Sequence, residues 1–220
     1  MGRQPVDAGT VLDNLQARIA DVTAASHGQE GALVARFAEA ARRVSATVHE
    51  VTDAARVATA LTGIIQARGA RLCQLVRDDL PLGIDWTRAV EAAGSCLSDD
   101  PSTLVEADLG LTAAVAGIAE TGSLITHLDP VDHRLATMLP LAHVVLLPRD
   151  RIVASLEEGL LLTRYRILTA AVAGRPTYVS WVTGPSRTAD IERTLAIGVH
   201  GPRTVDIILL PSTGTAGGSW

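Results

Sequence analysis

The chain has 220 residues, a net charge of −5 and 47% hydrophobic side chains, the make-up of one folded α/β-sized domain and not of a disordered or polyanion-binding chain. All 19 basic residues are Arg, which excludes a Schiff-base or Walker A lysine. Two cysteines, Cys73 and Cys96, are too few for a four-cysteine cluster, and 3% aromatics offer few stacking platforms, so nucleic acid is not an expected partner. The start has no signal-peptide pattern and no apolar run reaches the length of a membrane span, so a cytoplasmic protein without membrane insertion is expected. In that compartment both cysteines are expected to be reduced and, from their apolar neighbourhoods, buried.

Residues 1–45 read as a helical arm of two helices. Val11, Leu12, Leu15, Ile19 and Val22 form one stripe, and Leu33, Val34, Phe37, Ala38, Ala41 and Val44 a second, with Gly28 and Gly31 between. Residues 46–211 read as the α/β domain. A strand over 46–51 leads through Thr52, a competent cap, to a helix ended by Gly69, and a second strand follows over 71–76. A short helix over 86–93 and a turn at 99–102 come next. Apolar runs at 113–119 and 123–127 flank Glu120-Thr121-Gly122 as a hairpin. Strands over 141–147, 177–182 and 205–210 and a helix over 152–162 complete the pattern, and 212–220 read as a flexible tail. The crossovers point to a mostly parallel mixed sheet.

Three segments carry candidate chemistry. Thr183-Gly184-Pro185-Ser186-Arg187-Thr188-Ala189-Asp190 follows a strand and reads as opening a helix. The unpaired N–H groups of such a turn, the Ser186 and Thr188 hydroxyls and the Arg187 charge suit a small anionic ligand, with Asp190 on its rim. Gly198-Val199-His200-Gly201-Pro202 places a histidine, a candidate acid or base, in a stiff loop beside Gly201. Glu120, with Thr121 and Gly122, offers a carboxylate in a tight turn as a candidate catalytic nucleophile or base. Glu120, Ser186, Thr188 and His200 are expected to face one cleft, since open α/β sheets place ligands beside strand ends. His127, Asp129, Asp132 and His133 crowd seven residues, but Pro130 breaks any common face, so the segment reads as a polar loop and no metal site is expected.

Together, Ala116-Gly117-Ile118-Ala119-Glu120-Thr121-Gly122-Ser123-Leu124, Leu139-Pro140-Leu141-Ala142-His143-Val144-Val145, Gly184-Pro185-Ser186-Arg187-Thr188-Ala189-Asp190-Ile191-Glu192 and Gly198-Val199-His200-Gly201-Pro202 resemble the lactate-utilisation LUD-domain family, LutC/YkgG type. The resemblance implies a three-layer α/β sandwich like that of the NagB/RpiA/CoA-transferase group. It also implies a subunit of a cytosolic system oxidising L-lactate to pyruvate, whose iron–sulfur clusters belong to partner subunits, with no cofactor of its own. Two other readings stay open: a free-standing enzyme acting on a phosphorylated sugar, a CoA thioester or a folate, and a pure interaction module.

Overall fold

The computed structural model describes residues 8–24, 28–76, 84–127, 134–175, 177–189, 195–197 and 201–212. Its centre is a six-stranded, wholly parallel sheet built from β1 (Thr47–Glu50), β2 (Leu72–Leu75), β3 (Cys96–Ser98), β4 (Leu109–Ala113), β7 (Ala142–Pro148) and β12 (Thr204–Leu210). The spatial order is β1-β12-β7-β4-β2-β3. The middle strands are apolar on both faces, as a sheet covered on both sides requires: β7 is buried throughout, and β12 from Val205 onward.

One face is covered by α3 (Ala54–Arg68) and α4 (Trp86–Glu91), which bring Leu61, Ile65, Trp86 and Val90 onto Leu109, Leu111, Val144 and Ile208. Asp53 caps α3, accepting from the Arg56 N–H at 2.9 Å; the cap therefore falls one residue after Thr52. Gly69 ends the helix in the left-handed conformation, as expected. The other face meets α2 (Glu30–Arg43) and a second sheet. Phe37, fully buried, packs from α2 with Leu147 and Leu209 of the main sheet and Leu124 of the second.

The second sheet is an arrangement that the sequence pattern does not announce. It orders β8 (Ile152–Val153), β5 (Ala116–Ile118), β6 (Ser123–His127) and β9 (Val179–Val182), with β5/β8 parallel and the other pairs antiparallel. The apolar run at 113–119 is therefore two strands in two sheets. Ala114 still donates to Leu146 of the main sheet, whereas Val115 donates to Ile125 of the second. The expected helix at 152–162 begins later and runs longer, as α5 (Leu156–Val172), because Ile152 and Val153 are taken by β8. α5 and α1 (Ala8–Ala24) cover the outer face through Leu15, Ile19, Leu161 and Leu162.

The fold class stands: an α/β protein whose main sheet is parallel, with helices on both sides. Two local expectations fail here. Ser186 opens no helix. Arg187–Ala189 forms β10, which pairs antiparallel with β11 (Leu195–Ile197), so Thr188 lies opposite Ala196. Both cysteines are free thiols. Cys73 is buried, and burial raises its pKa; Cys96 is exposed, contrary to expectation, because β3 is an edge strand.

Candidate functional site

The hairpin between β5 and β6 sets the first part of the site. Thr121 and Gly122 both donate backbone N–H bonds to the Ile118 carbonyl, which folds the turn back on β5. Gly122 has φ +70°, and an added Cβ would lie 2.3 Å from the Ala41 nitrogen. The turn is thus pressed against the backbone of the last turn of α2, where only glycine fits. Side-chain oxygens then run in a chain: Thr121 Oγ1 is 2.8 Å from Ser123 Oγ, which is 2.8 Å from Thr183 Oγ1. That chain ties the hairpin to the end of β9.

The segment after β9 rests on the same helix end. Gly184 has φ +76°, and a Cβ there would meet the Val44 carbonyl oxygen at 2.2 Å. Ser186 donates its backbone N–H to the Pro202 carbonyl at 3.0 Å. It is therefore not one of the orphan donors that a helix start would leave, and the anion-binding argument from a helix N-terminus does not hold here. Gly201 has φ +150°, and its Cβ position would lie 3.1 Å from Ser186 Cβ, so the two loops lie against each other. Arg187 donates from Nη2 to Ser45 Oγ. Among the described residues it has no carboxylate partner. Ser45 itself sits at φ +69°, a left-handed conformation rare outside glycine and asparagine.

These residues share one end of the main sheet. Ser45 precedes β1, Gly201 precedes β12, and Arg203 and Thr204 donate to Leu141 just before β7. That is the amino end of the parallel strands, not the carboxyl end where open α/β sheets ordinarily place ligands. Gly184, Ser186, Arg187 and Gly201 lie together here, and the Thr121–Gly122 turn rests on the same helix end. Glu120 turns elsewhere: its Oε2 accepts the Leu156 N–H at 2.9 Å, at the first residue of α5. Ser155 and Glu158 satisfy neighbouring donors at the same helix start, Ser155 Oγ from Glu158 N and Glu158 Oε2 from Ala154 N. Glu120 completes that cap from another element. Asp190 and His200 lie outside the described residues, as do Asp129, Asp132 and His133. Among the described residues no group of three or more His, Cys, Asp or Glu is placed to hold a metal. No described helix is long and apolar enough to cross a membrane.

Sequence reasoning missed Ser45, and placed Ser123 and Thr183 in their motifs without the contact between them. Ser123 and Thr183 are ordinary strand-end residues, and only pairing of β6 with β9 makes them neighbours. It also missed a buried ionic cluster. Asp206, 1% exposed in β12, receives Arg68 Nε at 3.1 Å and Nη2 at 2.9 Å, and lies 3.0 Å from His49 Nε2. A lone acid within Val-Asp-Ile-Ile-Leu-Leu was the available signal, since a carboxylate in a central strand needs a cation.

Known proteins bear on this arrangement directly. The profile of the LUD domain matches residues 101–210, half of the chain and the stretch that holds every loop of the site except Ser45. Lactate utilization protein C of Exiguobacterium sp. is 32% identical over 108 residues, 48% of this chain and 45% of that protein. Lactate utilization protein C 1 of Bacillus mycoides is 36% identical over 104 residues, 47% and 44% of the two chains. Lactate utilization protein C of Deinococcus radiodurans is 33% identical over 119 residues, 52% and 53% of the two. The chain thus spans about half the length of the curated relatives it matches. Its fold is shared with the crystal structure of a DUF162 family protein from Deinococcus radiodurans, at a TM-score of 0.53 and 21% identity, covering 82% of this chain and 97% of that one. With half its length matched by the domain, the chain belongs to the LUD domain family.

Proposed function

We propose that this chain acts in lactate utilisation, as an accessory, substrate-handling subunit of a system that oxidises L-lactate to pyruvate. The oxidation removes two electrons and two protons from the substrate, and in this reading the electrons pass to iron–sulfur clusters on partner subunits. The chain brings no cofactor of its own. The observation that carries the reading is the similarity to Lactate utilization protein C together with a domain match that takes in the loops around Ser186.

The geometry supplies a role consistent with it. Lactate and pyruvate are both carboxylates. Arg187, exposed and held by a neutral hydroxyl, keeps guanidinium donors for a planar anion, and Ser45 places a hydroxyl beside it. Lactate and pyruvate are therefore the proposed ligands of this end of the sheet.

The test is to purify the chain alone and with its iron–sulfur subunits, and to follow lactate-dependent reduction of an artificial acceptor. The expected result is no turnover by the chain alone and turnover by the mixture. Turnover by the chain alone on lactate, or none by the complete mixture, overturns the reading. Calorimetry with pyruvate should show Arg187→Ala weakening binding by about 1.5–3 kcal/mol, the range for a hydrogen bond to a charged group.

A further inference from the structure

The amino end of the sheet carries a second feature beside the Ser186 loops. Met138, Leu139 and Leu141 are 49%, 47% and 53% exposed, three large apolar side chains within four residues. Scattered apolar residues on a surface need no explanation, but a contiguous group does. They are flanked by cations. Arg203 is exposed, and its backbone N–H donates to the Leu141 carbonyl at 2.8 Å, which sets it directly beside the group. Arg134, one turn before Met138, lies with its guanidinium 4.4 Å from the centre of the Tyr178 ring, and that ring is itself 47% exposed. Neither arginine has a carboxylate partner among the described residues.

We propose that this face is a docking surface for an acidic, apolar segment of a partner protein, in which apolar side chains cover Met138, Leu139 and Leu141 and carboxylates meet Arg134 and Arg203. Charge complementarity is the argument for that occupant. The chain as a whole is acidic, with net charge −5, so its overall charge gives an acidic partner no attraction. A face with two cations that have no carboxylate partner among the described residues is then an attractive exception, and it orients the encounter. Exposed Tyr and Arg around an apolar centre are the residue types that anchor protein interfaces. The partner's identity rests on the preceding reading: it is an iron–sulfur subunit of the same system. Contact here would cover the side of the Ser186 loops and bring the partner next to the proposed carboxylate ligands.

The experiment titrates the full chain against the purified iron–sulfur subunits at 50 and 300 mM salt. It uses wild type, the double variant Leu139→Ser/Leu141→Ser, and Arg203→Glu. Wild type should form a complex that weakens at least tenfold at the higher salt, and each variant should lose at least tenfold in affinity at 50 mM. Thermal melts establish that the variants are folded. Should the leucine variant fail to fold, Arg203→Glu, an exposed position, carries the test. A complex of unchanged affinity in the folded variants overturns the docking surface and leaves the lactate reading standing. No complex with wild type overturns the docking surface, and the separate turnover assay then decides the lactate reading. Binding of wild type to phosphatidylserine vesicles, lost in the same variants, assigns the face to a membrane and overturns the proposal.

Discussion

Gly122 concentrates two demands in one residue, a positive φ and an approach to the α2 backbone at which a Cβ would sit 2.3 Å from the Ala41 nitrogen. Gly122→Ala is expected to destabilise the protein by about 2–4 kcal/mol, the combined scale of overpacking and a strained backbone, read from denaturant melts. His143 poses a different problem. It is fully buried in β7; Thr112 Oγ1 lies 2.9 Å from its Nε2, and its Nδ1 has no partner among the described residues. Burial pushes its pKa down from the ordinary 6.5 to about 4. Between those two values the unfolded chain binds the proton that the folded chain refuses. Stability is therefore fully present above about pH 6.5 and is lost as the pH falls toward 4, by about 3 kcal/mol in all. His143→Gln should flatten that part of the pH–stability curve relative to wild type; parallel curves would remove His143 as the cause. The histidine itself was visible in the sequence. Its neutrality was not, because that depends on how completely neighbouring elements exclude water.

At the scale of elements, the start of α5 and the end of α3 are fixed from outside their own helices. Glu120 caps α5 from the β5–β6 turn. Glu120→Ala should lower the melting temperature by about 2–3 °C, equivalent to about 1 kcal/mol in a chain of this size. Glu120→Gln, which keeps a carbonyl acceptor, should restore most of it. A melting temperature unmoved by either change would separate Glu120 from the helix. Arg68, in the last turn of α3, clamps that helix to β12 through Asp206. Asp206→Ala strands Arg68 without its acid and should cost about 3 kcal/mol, at the low end for a buried pair because Arg68 is itself partly exposed. Elements were legible where a local rule sufficed: the stripe of α2, Gly69 ending α3, the turn at Gly122. They were illegible where partners decided. Arg187–Ala189 carries the polar residues of a helix start, yet pairing with Leu195–Ile197 makes it a strand, and no local signal marks that choice. Ile152 and Val153 likewise became a strand because β5 offered an open edge.

For the whole molecule, the parallel main sheet was readable from alternating strands and crossovers, whereas the second sheet was not, since the chain passes between sheets within the unbroken apolar run at Ala114 and Val115. The candidate site followed the same division. Its glycines and Arg187 stood out by residue type, but its place at the amino ends of the strands depended on topology alone. Gly122 and Gly184 both rest on the last turn of α2, at Ala40–Ala41 and at the Val44 carbonyl. The two loops, joined directly through Thr121, Ser123 and Thr183, thus also take their seat from a third party, as two castings from one mould. A protein cut just ahead of β1 would retain all twelve described strands in its sequence and lose the mould. Its strands could still pair, and the Thr121–Ser123–Thr183 chain could still hold the hairpin to β9, but neither glycine would have the helix end that seats its turn. In such a truncation, pyruvate binding should fail well before the sheet's circular-dichroism signal does, and binding that survived intact would show that the loops hold their own shape.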